Sequence, residues 1–481
     1  MKEIIVILFL IVNVVLGVYS QMGKNKIKNE SDMNLSGRNM GWFTLGASAA
    51  ASGCSAFAFV GMAAAAYTTG VSMIWYAALA CTWSWGVFYI MGKRLRRMSV
   101  KTETTTIVDY LSVRLGDNKG IFRTVAAIIV IVFMLSYMAS NFSAIASAFQ
   151  SYLGWPTLVG LAIGALIVAF YSAIGGFKGV VLIDTLQAIV MLLGSGVLLV
   201  FILMRAGGLP ELLESAAAID PNLVTVTGGK EAGPFIAFLA SWLGSGLMGF
   251  GNPHISVRAM GMKDDKSMRA AGIWSYVINV WVMYMGVFSG LAARVWLGDL
   301  NNPDLAYGMI VGELVGPIIG GIIIAGIISA TMSTVSSQLL VASSEASRCF
   351  FNFTKMKLSD MGKVRFARIV IIVFTCVALV VAQNGGELVY YGILFAWAGL
   401  GCAFGPILVL SLFWKRMTLG GGMAGMLLGT LTVVVWKLSG LSVAVYEGLP
   451  GLIIAVVAAV VVSLLTKPPK DADALVEYAK N

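Results

Sequence analysis

Charge is scarce in this chain. Asp, Glu, Lys and Arg together make up 12% of its 481 residues, where soluble globular chains carry roughly 25%. A solvated surface of ordinary size cannot be built from so few. Histidine is nearly absent: the single His254 excludes a zinc site built on histidine ligands and any two-histidine catalytic arrangement. The five cysteines, Cys54, Cys81, Cys349, Cys376 and Cys402, sit in or at the ends of apolar runs with no pairing spacing, and read as free thiols. Neither G-x-S-x-G nor H-E-x-x-H occurs, which with the lone histidine argues against a hydrolytic enzyme. No composition shift, low-complexity tract or long linker divides the chain, and no polar stretch is large enough for a soluble catalytic or sensory domain. The longest are 93–124, 207–233 and 348–365.

What is abundant is apolar. Hydrophobic residues make up 58% of the chain and the mean hydropathy is +0.88. A helix crosses a bilayer with about 20 mostly apolar residues. Thirteen such spans are expected, near 3–20, 41–69, 73–92, 125–150, 157–174, 178–206, 234–256, 271–297, 314–345, 366–383, 387–413, 420–437 and 449–466. The net charge of +10 could point to nucleic acid, but its distribution points to a membrane. If the first span runs from outside to inside, only Lys2, Arg205, Lys230, Arg294 and Lys437 of the 33 Lys and Arg residues fall outside. The inside loops hold the rest, from Lys24, Lys26, Lys28 and Arg38 through the run Lys93–Arg123 to Lys467, Lys470 and Lys480. By the positive-inside rule this puts the N-terminus outside and the C-terminus in the cytoplasm of a multi-pass plasma-membrane protein. Most of the twelve tryptophans, Trp42, Trp155, Trp296 and Trp414 among them, fall near expected interfaces and read as belt residues. The first segment resembles a signal peptide, but Glu3 weakens the charged region and the apolar run is long enough to span, so an uncleaved helix is expected.

Two spans are built unlike the others. The second, TLGASAAASGCSAFAFVG, carries Gly46, Gly53 and Gly61. The seventh, SWLGSGLMGFGNPHISVR, carries Gly244, Gly246, Gly249 and Gly251 ahead of Pro253. A single glycine serves helix packing, but this run followed by Asn-Pro predicts an unwound segment. Broken backbone survives in lipid only where it faces protein, water or a ligand. The two spans open corresponding sets of five, and paired interruptions of this kind point to an inverted-repeat transporter.

Asp184 lies within VVLIDTLQAIVML, about one turn from the cytoplasmic end of its span. An ionised group at the bilayer centre costs roughly 2.5–3.5 kcal/mol, so it needs a partner: a cation, an arginine or backbone amides. The alternative is that it snorkels or caps its helix. The ninth span, SATMSTVSSQLLVASSE, is rich in hydroxyls, and Ser333, Ser336 and Ser337 share one face. Such oxygens suit hard cations, although serine and threonine also back-bond to their own helix. Glu345 and Arg348 read as snorkelling groups at a helix end, and His254 and Arg258 as anchoring or gating residues.

The motifs LSGRNMGWFTLGASAAAS, SAIGGFKGVVLIDTLQA, GFGNPHISVRAMG, ATMSTVSSQLLVASS and AWAGLGCAFGPILVLSLFWKRMT, continued by TVVVWK and YEGLPG, resemble the sodium:solute symporter family, closest to its sodium/proline branch. The resemblance runs nearly the whole chain, in order. It implies an all-α polytopic protein with a LeuT-type 5+5 inverted-repeat core, one helix before it and two after. The divisions expected are 1–40, an extra helix and first cytoplasmic loop; 41–206, the first repeat; 207–233, an extracellular loop; 234–413, the second repeat; and 414–481, two extra helices and a cytoplasmic tail. It also implies a sodium site from the carbonyls of Ala51, Cys54 and Ala330 and the hydroxyls of Ser333 and Thr334. A second sodium site of some members matches Asp184, Ser333, Ser336 and Ser337, giving one or two ions per cycle.

The substrate region departs from the proline branch. Gly53 stands where those transporters have an aspartate, and Ser245 and Gly249 replace a tryptophan and a tyrosine, while Tyr137 keeps a tyrosine. Loss of two aromatic walls predicts a larger, softer pocket and no high-affinity proline binding. The arginine of sialic-acid carriers is also missing, with no Arg or Lys between Arg123 and Lys178. The pocket is expected to use Ser52, Gly53, Ser55, Tyr137, Ser245, Gly249 and Asn252. The expected function is sodium-coupled symport of a small organic solute, an amino acid or small carboxylate, by alternating access, with no nucleic acid or obligatory protein partner. Proton coupling through Asp184 and a non-transporting solute sensor are the alternatives.

Overall fold

The computed structural model describes residues 1–22, 26–384 and 389–480; Lys24, one of the basic residues read as inside, lies outside them. The described residues form helices and connecting turns, with one isolated bridge between Met40 and Met262. In chain order the helices are α1 (Lys2–Tyr19), α2 (Glu30–Leu35), α3 (Trp42–Cys54), α4 (Val60–Thr69), α5 (Ile74–Ala80), α6 (Thr82–Gly86), α7 (Lys93–Lys101), α8 (Ile107–Leu115), α9 (Ile121–Ala148) and α10 (Thr157–Ala206). They continue as α11 (Leu209–Ile219), α12 (Ala232–Met248), α13 (Pro253–Met260), α14 (Met268–Leu297), α15 (Ala306–Leu314), α16 (Pro317–Thr354), α17 (Asp360–Asn384), α18 (Val389–Phe413), α19 (Leu419–Leu438), α20 (Gly448–Leu465) and α21 (Ala472–Lys480).

Eleven stretches of the described residues are long and apolar enough to cross a membrane. Two of them each contain two passes. The stretch Ala56–Lys101 turns at Gly70, where φ is +69°. Within α10 the backbone breaks at Gly176 (φ 54°, ψ −158°), between the two spans read from the sequence. Dividing both gives the thirteen spans expected. Gly176 is required there: those angles are open essentially to glycine alone, and a Cβ would come within 2.8 Å of Ile27 Cδ1.

The first helix is part of the bundle. Gly17 lies so close to Tyr171 that a Cβ would stand 2.7 Å from the tyrosine's own. The buried Asn13 takes a 2.8 Å hydrogen bond from Gln187. At the centre, α3 and α4 form one interrupted pass, α12 and α13 another, and both pack among α10, α14, α16 and α18. The long α16 is buried along most of its length, whereas α17, α19 and α20 keep broad apolar faces exposed, as helices bordering lipid do.

On the end that holds the basic loops, arginine hydrogen bonds and ion pairs cross-brace the bundle. Arg38 donates to Ser99 Oγ (2.7 Å), Thr104 O (2.7 Å) and Met260 O (3.0 Å). Arg96 and Arg97 both pair with Asp265, at 3.0 and 2.7 Å. Arg348 pairs with Glu30 (2.6 Å) and with Asp109, which also holds Arg123 (2.5 Å). Glu345 is 1% exposed. The expectation that Glu345 and Arg348 snorkel is therefore corrected: at the end of α16 Glu345 is buried, and Arg348 is half-buried and held by Glu30 of α2 and Asp109 of α8.

Candidate functional site

An α-helix leaves its last four carbonyls without intrahelical donors. In α3 those belong to Ala51, Ser52, Gly53 and Cys54, because the chain turns away at Ser55 (φ 48°, ψ −171°). The interruption thus falls at Ser55, not at Gly46, Gly53 or Gly61. Side chains replace the lost helical bonds: Ser55 Oγ accepts the Phe57 N–H at 3.2 Å, and Asn141 Oδ1 accepts the Ala56 N–H at 3.1 Å. In the second broken pass, a 3₁₀ turn over Gly249–Gly251 ends at the extended Asn252, and Pro253 opens α13. Here Asn252 Nδ2 donates to Met248 O (3.2 Å), and Ser256 Oγ to Phe250 O (2.7 Å).

The frayed end of α3 meets the hydroxyl-rich face of α16. Thr334 Oγ1 donates to Ser52 O (2.8 Å) and Ala330 O (3.0 Å), and Ser333 Oγ donates to Ala330 O (2.9 Å). Ser52 Oγ lies 3.1 Å from Ser333 O. Ala51, Cys54, Ala330, Ser333 and Thr334 are all fully buried. The residues matched to a sodium site therefore lie at one helix–helix seam lined by neutral oxygens.

Asp184 sits beside this seam and is fully buried. Its Oδ2 accepts from Ser48 Oγ (2.6 Å), Ser52 Oγ (3.3 Å) and Arg258 Nη2 (3.0 Å). The Arg258 guanidinium also donates to Ser48, Ser52 and Ser337 hydroxyls at 2.9, 2.5 and 2.6 Å, and to His254 O. Of the partners open to Asp184, the structure thus supplies an arginine. Arg258 is an internal counter-ion rather than a peripheral anchor. Ser336 turns back onto Ser333 O (3.0 Å). Asp184 Oδ1 has no hydrogen-bond partner among the described residues.

On the other side of the α3 break, a narrow cavity is lined by Gly53, Ser55, Phe57, Tyr76, Trp83, Tyr137 and Trp397, with Ala80, Cys81, Met283, Ile393 and Leu394. Tyr137 Oη lies 3.5 Å from Ser55 Oγ. The expected larger, softer pocket is not found. A Cβ on Gly53 or on Gly249 would collide with Trp83, so the tryptophan side chain fills the room those two glycines leave. Trp397 stands edge-on to Trp83 (centroids 5.9 Å) and donates its indole N–H to Ser245 O at 2.9 Å. Aromatic walls have moved from α12 to the segments before and after it. Of the residues expected to line the pocket, Gly53, Ser55 and Tyr137 do so; Ser52 faces the Asp184–Arg258 cluster. Asn252 and His254 are buried at the α12–α13 break, and Asn252 Oδ1 and both His254 ring nitrogens have no hydrogen-bond partner among the described residues. Trp83, Trp397, Phe57, Tyr76, Ser48 and Asn141 are contributors that sequence reading did not find.

Among the described residues no group of three His, Cys, Asp or Glu side chains is placed to hold a metal. Among the described residues this seam offers hydroxyls, carbonyls and one carboxylate, oxygen donors that suit a hard cation rather than a soft transition metal.

The model of the sodium:solute symporter family matches residues 34–429. The high-affinity proline transporter PutP of Bacillus subtilis (strain 168) is 32% identical over 454 residues, covering 93% of this chain and 95% of that protein. The osmoregulated proline transporter OpuE of the same organism is 30% identical, covering 94% and 93%. Among solved structures, a Na+-coupled sialic acid symporter in a substrate-bound outward-open state superimposes with a TM-score of 0.81 at 20% identity, covering 98% of both chains. The nucleobase-cation-symport-1 family transporter Mhp1 superimposes with a TM-score of 0.56 at 14% identity, covering 94% of this chain and 99% of that one. The chain is a multi-pass plasma-membrane transporter of LeuT-type fold, not an enzyme, and it belongs to the sodium:solute symporter family.

Proposed function

We propose that the protein takes up a small zwitterionic solute, of amino-acid type, with one or two sodium ions per cycle. The N-terminus is then outside and the C-terminus cytoplasmic, and the repeats are 41–206 and 234–413. The observation that carries this reading is the seam where the unwound end of α3 meets Ser333 and Thr334 of α16. It supplies carbonyl and hydroxyl oxygens in a dry interior, where an alkali cation can replace hydroxyl–carbonyl hydrogen bonds. Sodium bound by Ala51, Cys54, Ala330, Ser333 and Thr334 fixes the broken pass against α16, and so shapes the adjoining pocket. Each ligand then favours the arrangement the other needs, and the coupling is reciprocal. The unpartnered Asp184 Oδ1, with Ser333, Ser336 and Ser337 as further oxygen donors, supports a second ion.

The pocket favours a zwitterion over a free carboxylate. Five aromatic side chains line it and no charged one does. Aromatic faces attract an ammonium group, whereas the nearby Arg258 is already committed to Asp184. Ser52, Gly53, Ser55, Tyr137, Ser245, Gly249 and Asn252 remain the proposed surroundings of the solute, with Trp83 and Trp397 as its wall. Trp83 fills the space at Gly53 where the proline branch carries an aspartate, so proline is not expected to bind tightly.

The test is uptake into proteoliposomes from a panel of labelled amino acids, under an inward sodium gradient or an inward pH gradient. Sodium-driven uptake of one such solute supports the reading, and an inward-negative potential should increase it by about 2.3 kcal/mol per net charge per 100 mV. Uptake that follows the pH gradient and ignores sodium would replace it with proton coupling. Micromolar half-saturation for proline would overturn the substrate argument.

A further inference from the structure

A large cleft lies away from the transport pathway, between the start of α9, the end of α16 and α17. Its volume is about 1050 Å³, enough for a headgroup with part of its chains and far more than the narrow solute cavity. It has two chemically distinct ends. One is basic: Lys119, Arg123 and Lys355 line it, together with the backbone at Gly120. There the 28-residue α9 presents its N-terminus, whose unpaired N–H groups and dipole attract an anion. Arg123 Nε is buried without a hydrogen-bond partner among the described residues. The one acidic residue lining the cleft, Asp117, is partly used in capping: its Oδ2 accepts the Arg123 backbone N–H at 2.9 Å and the Ser112 hydroxyl at 3.4 Å. Its Oδ1 is buried and has no partner among the described residues. Arg123 is also paired through Nη2 with Asp109 at 2.5 Å, so among the described residues Lys119 and Lys355 are the cations that face the cleft without a carboxylate of their own beyond Asp117.

The other end is apolar. Ile131, Phe350, Phe353 and Phe374 line it, and Phe353 is 89% exposed, directly before the polar turn that carries Lys355. Ile131 is ten residues into α9 from Ile121, or about 15 Å along the helix at 1.5 Å per residue. That is half of a hydrocarbon core about 30 Å thick, the depth of one leaflet's acyl chains. A soluble anion would use the basic end alone and leave the aromatic wall without a role.

We propose that this cleft is a binding site for an anionic phospholipid of the leaflet facing the basic loops. The phosphate sits among Lys119, Lys355, Arg123 and the start of α9, and an acyl chain lies along Ile131, Phe350 and Phe374. Assignment of that leaflet to the cytoplasmic side rests on the orientation proposed above; the site itself does not. Such a lipid would tie the α8–α9 turn to the end of α16, the same end that Arg348 and Asp109 join by an ion pair.

The experiment is native mass spectrometry of the full chain, titrated separately with phosphatidylglycerol and with phosphatidylcholine. One tightly held phosphatidylglycerol and no equivalent phosphatidylcholine is expected. Each lysine near the anionic headgroup contributes about a five-fold gain in affinity, the equivalent of about 1 kcal/mol. Lys119→Gln with Lys355→Gln should therefore weaken retention by about 25-fold, while a matched Lys263→Gln/Lys266→Gln control keeps it. Equal retention of both lipids, undiminished retention in the Lys119/Lys355 variant, or displacement by millimolar inorganic phosphate would each overturn the proposal. Retained phosphatidylglycerol in a protein that shows no sodium-driven uptake would support this site while contradicting the proposed transport function.

Discussion

Replacing Arg258 by glutamine should make the protein's stability depend on sodium to a degree the wild type does not show. The guanidinium and Asp184 are 1% and 0% exposed and 3.0 Å apart. Removing one partner of a buried ion pair leaves an uncompensated charge and costs about 3–5 kcal/mol. Two of the groups that Arg258 engages, the Asp184 carboxylate and the Ser337 hydroxyl, also belong to the proposed second cation site. With the guanidinium gone, sodium can neutralise the carboxylate in its place. A ligand at 100 times its dissociation constant stabilises by about 2.7 kcal/mol, so sodium should recover more than half of the loss. Asp184→Asn should cost a similar amount, because it strands the guanidinium, but sodium should not rescue it. The double variant should lose less than the sum of the singles. The assay is the melting temperature of purified variants in sodium and in potassium at equal ionic strength. An Arg258→Gln protein as stable as wild type in potassium, or one indifferent to sodium, would refute the shared-oxygen argument.

Other expectations are more local. Ser333→Ala and Thr334→Ala each remove an oxygen from the α3–α16 seam, and at about 1.5–3 kcal/mol for a contact to a charge should raise the sodium concentration for half-maximal uptake at least ten-fold; unchanged activation would remove both residues from the ion site. Trp83→Ala should destabilise by about 3–5 kcal/mol. Gly53→Asp should fail to accumulate as folded protein unless combined with Trp83→Ala, since Trp83 occupies the space of the new side chain; normal yield of the single variant would contradict this. On the connection before α15, burial raises the Asp304 carboxyl to about 6, so the folded protein favours its protonated form. Stability from this group is present below about pH 4 and is lost as pH rises towards 6. Asp304→Asn can keep the acceptor for the Val389 N–H (3.0 Å) and should flatten that dependence, with a gain above pH 6 of up to about 3 kcal/mol. Identical pH–melting curves for the two proteins would show the carboxyl to be indifferent.

Much of the architecture was legible because lipid imposes strong rules on sequence. Thirteen apolar runs, the glycine-rich interruption before Pro253 and the hydroxyl face of α16 are all local patterns, and each has its counterpart in the structure. What could not be read depends on contacts between distant segments. Ser55, not a glycine, carries the first interruption, because Asn141 from α9 replaces a helical hydrogen bond. Arg258 reaches Asp184 across 74 residues of sequence, and no spacing rule pairs them. Trp83 looks like any interfacial tryptophan until Gly53 and Gly249 are seen to leave room for it. Glu345 and Arg348 lie at a helix end, where exposure is the usual expectation; the burial of Glu345 and the ion pairs of Arg348 with α2 and α8 reverse it.

The most direct test of the central claim is the melting temperature of the purified wild-type protein against a panel of amino acids and small carboxylates, in sodium and in potassium at constant ionic strength. Ligands that bind the folded state raise the melting temperature by mass action. The account predicts a rise in sodium alone, a further rise with one zwitterionic solute, and loss of that second rise in potassium. A solute-induced rise of equal size in both salts, with no effect of sodium by itself, would contradict coupling through the α3–α16 seam.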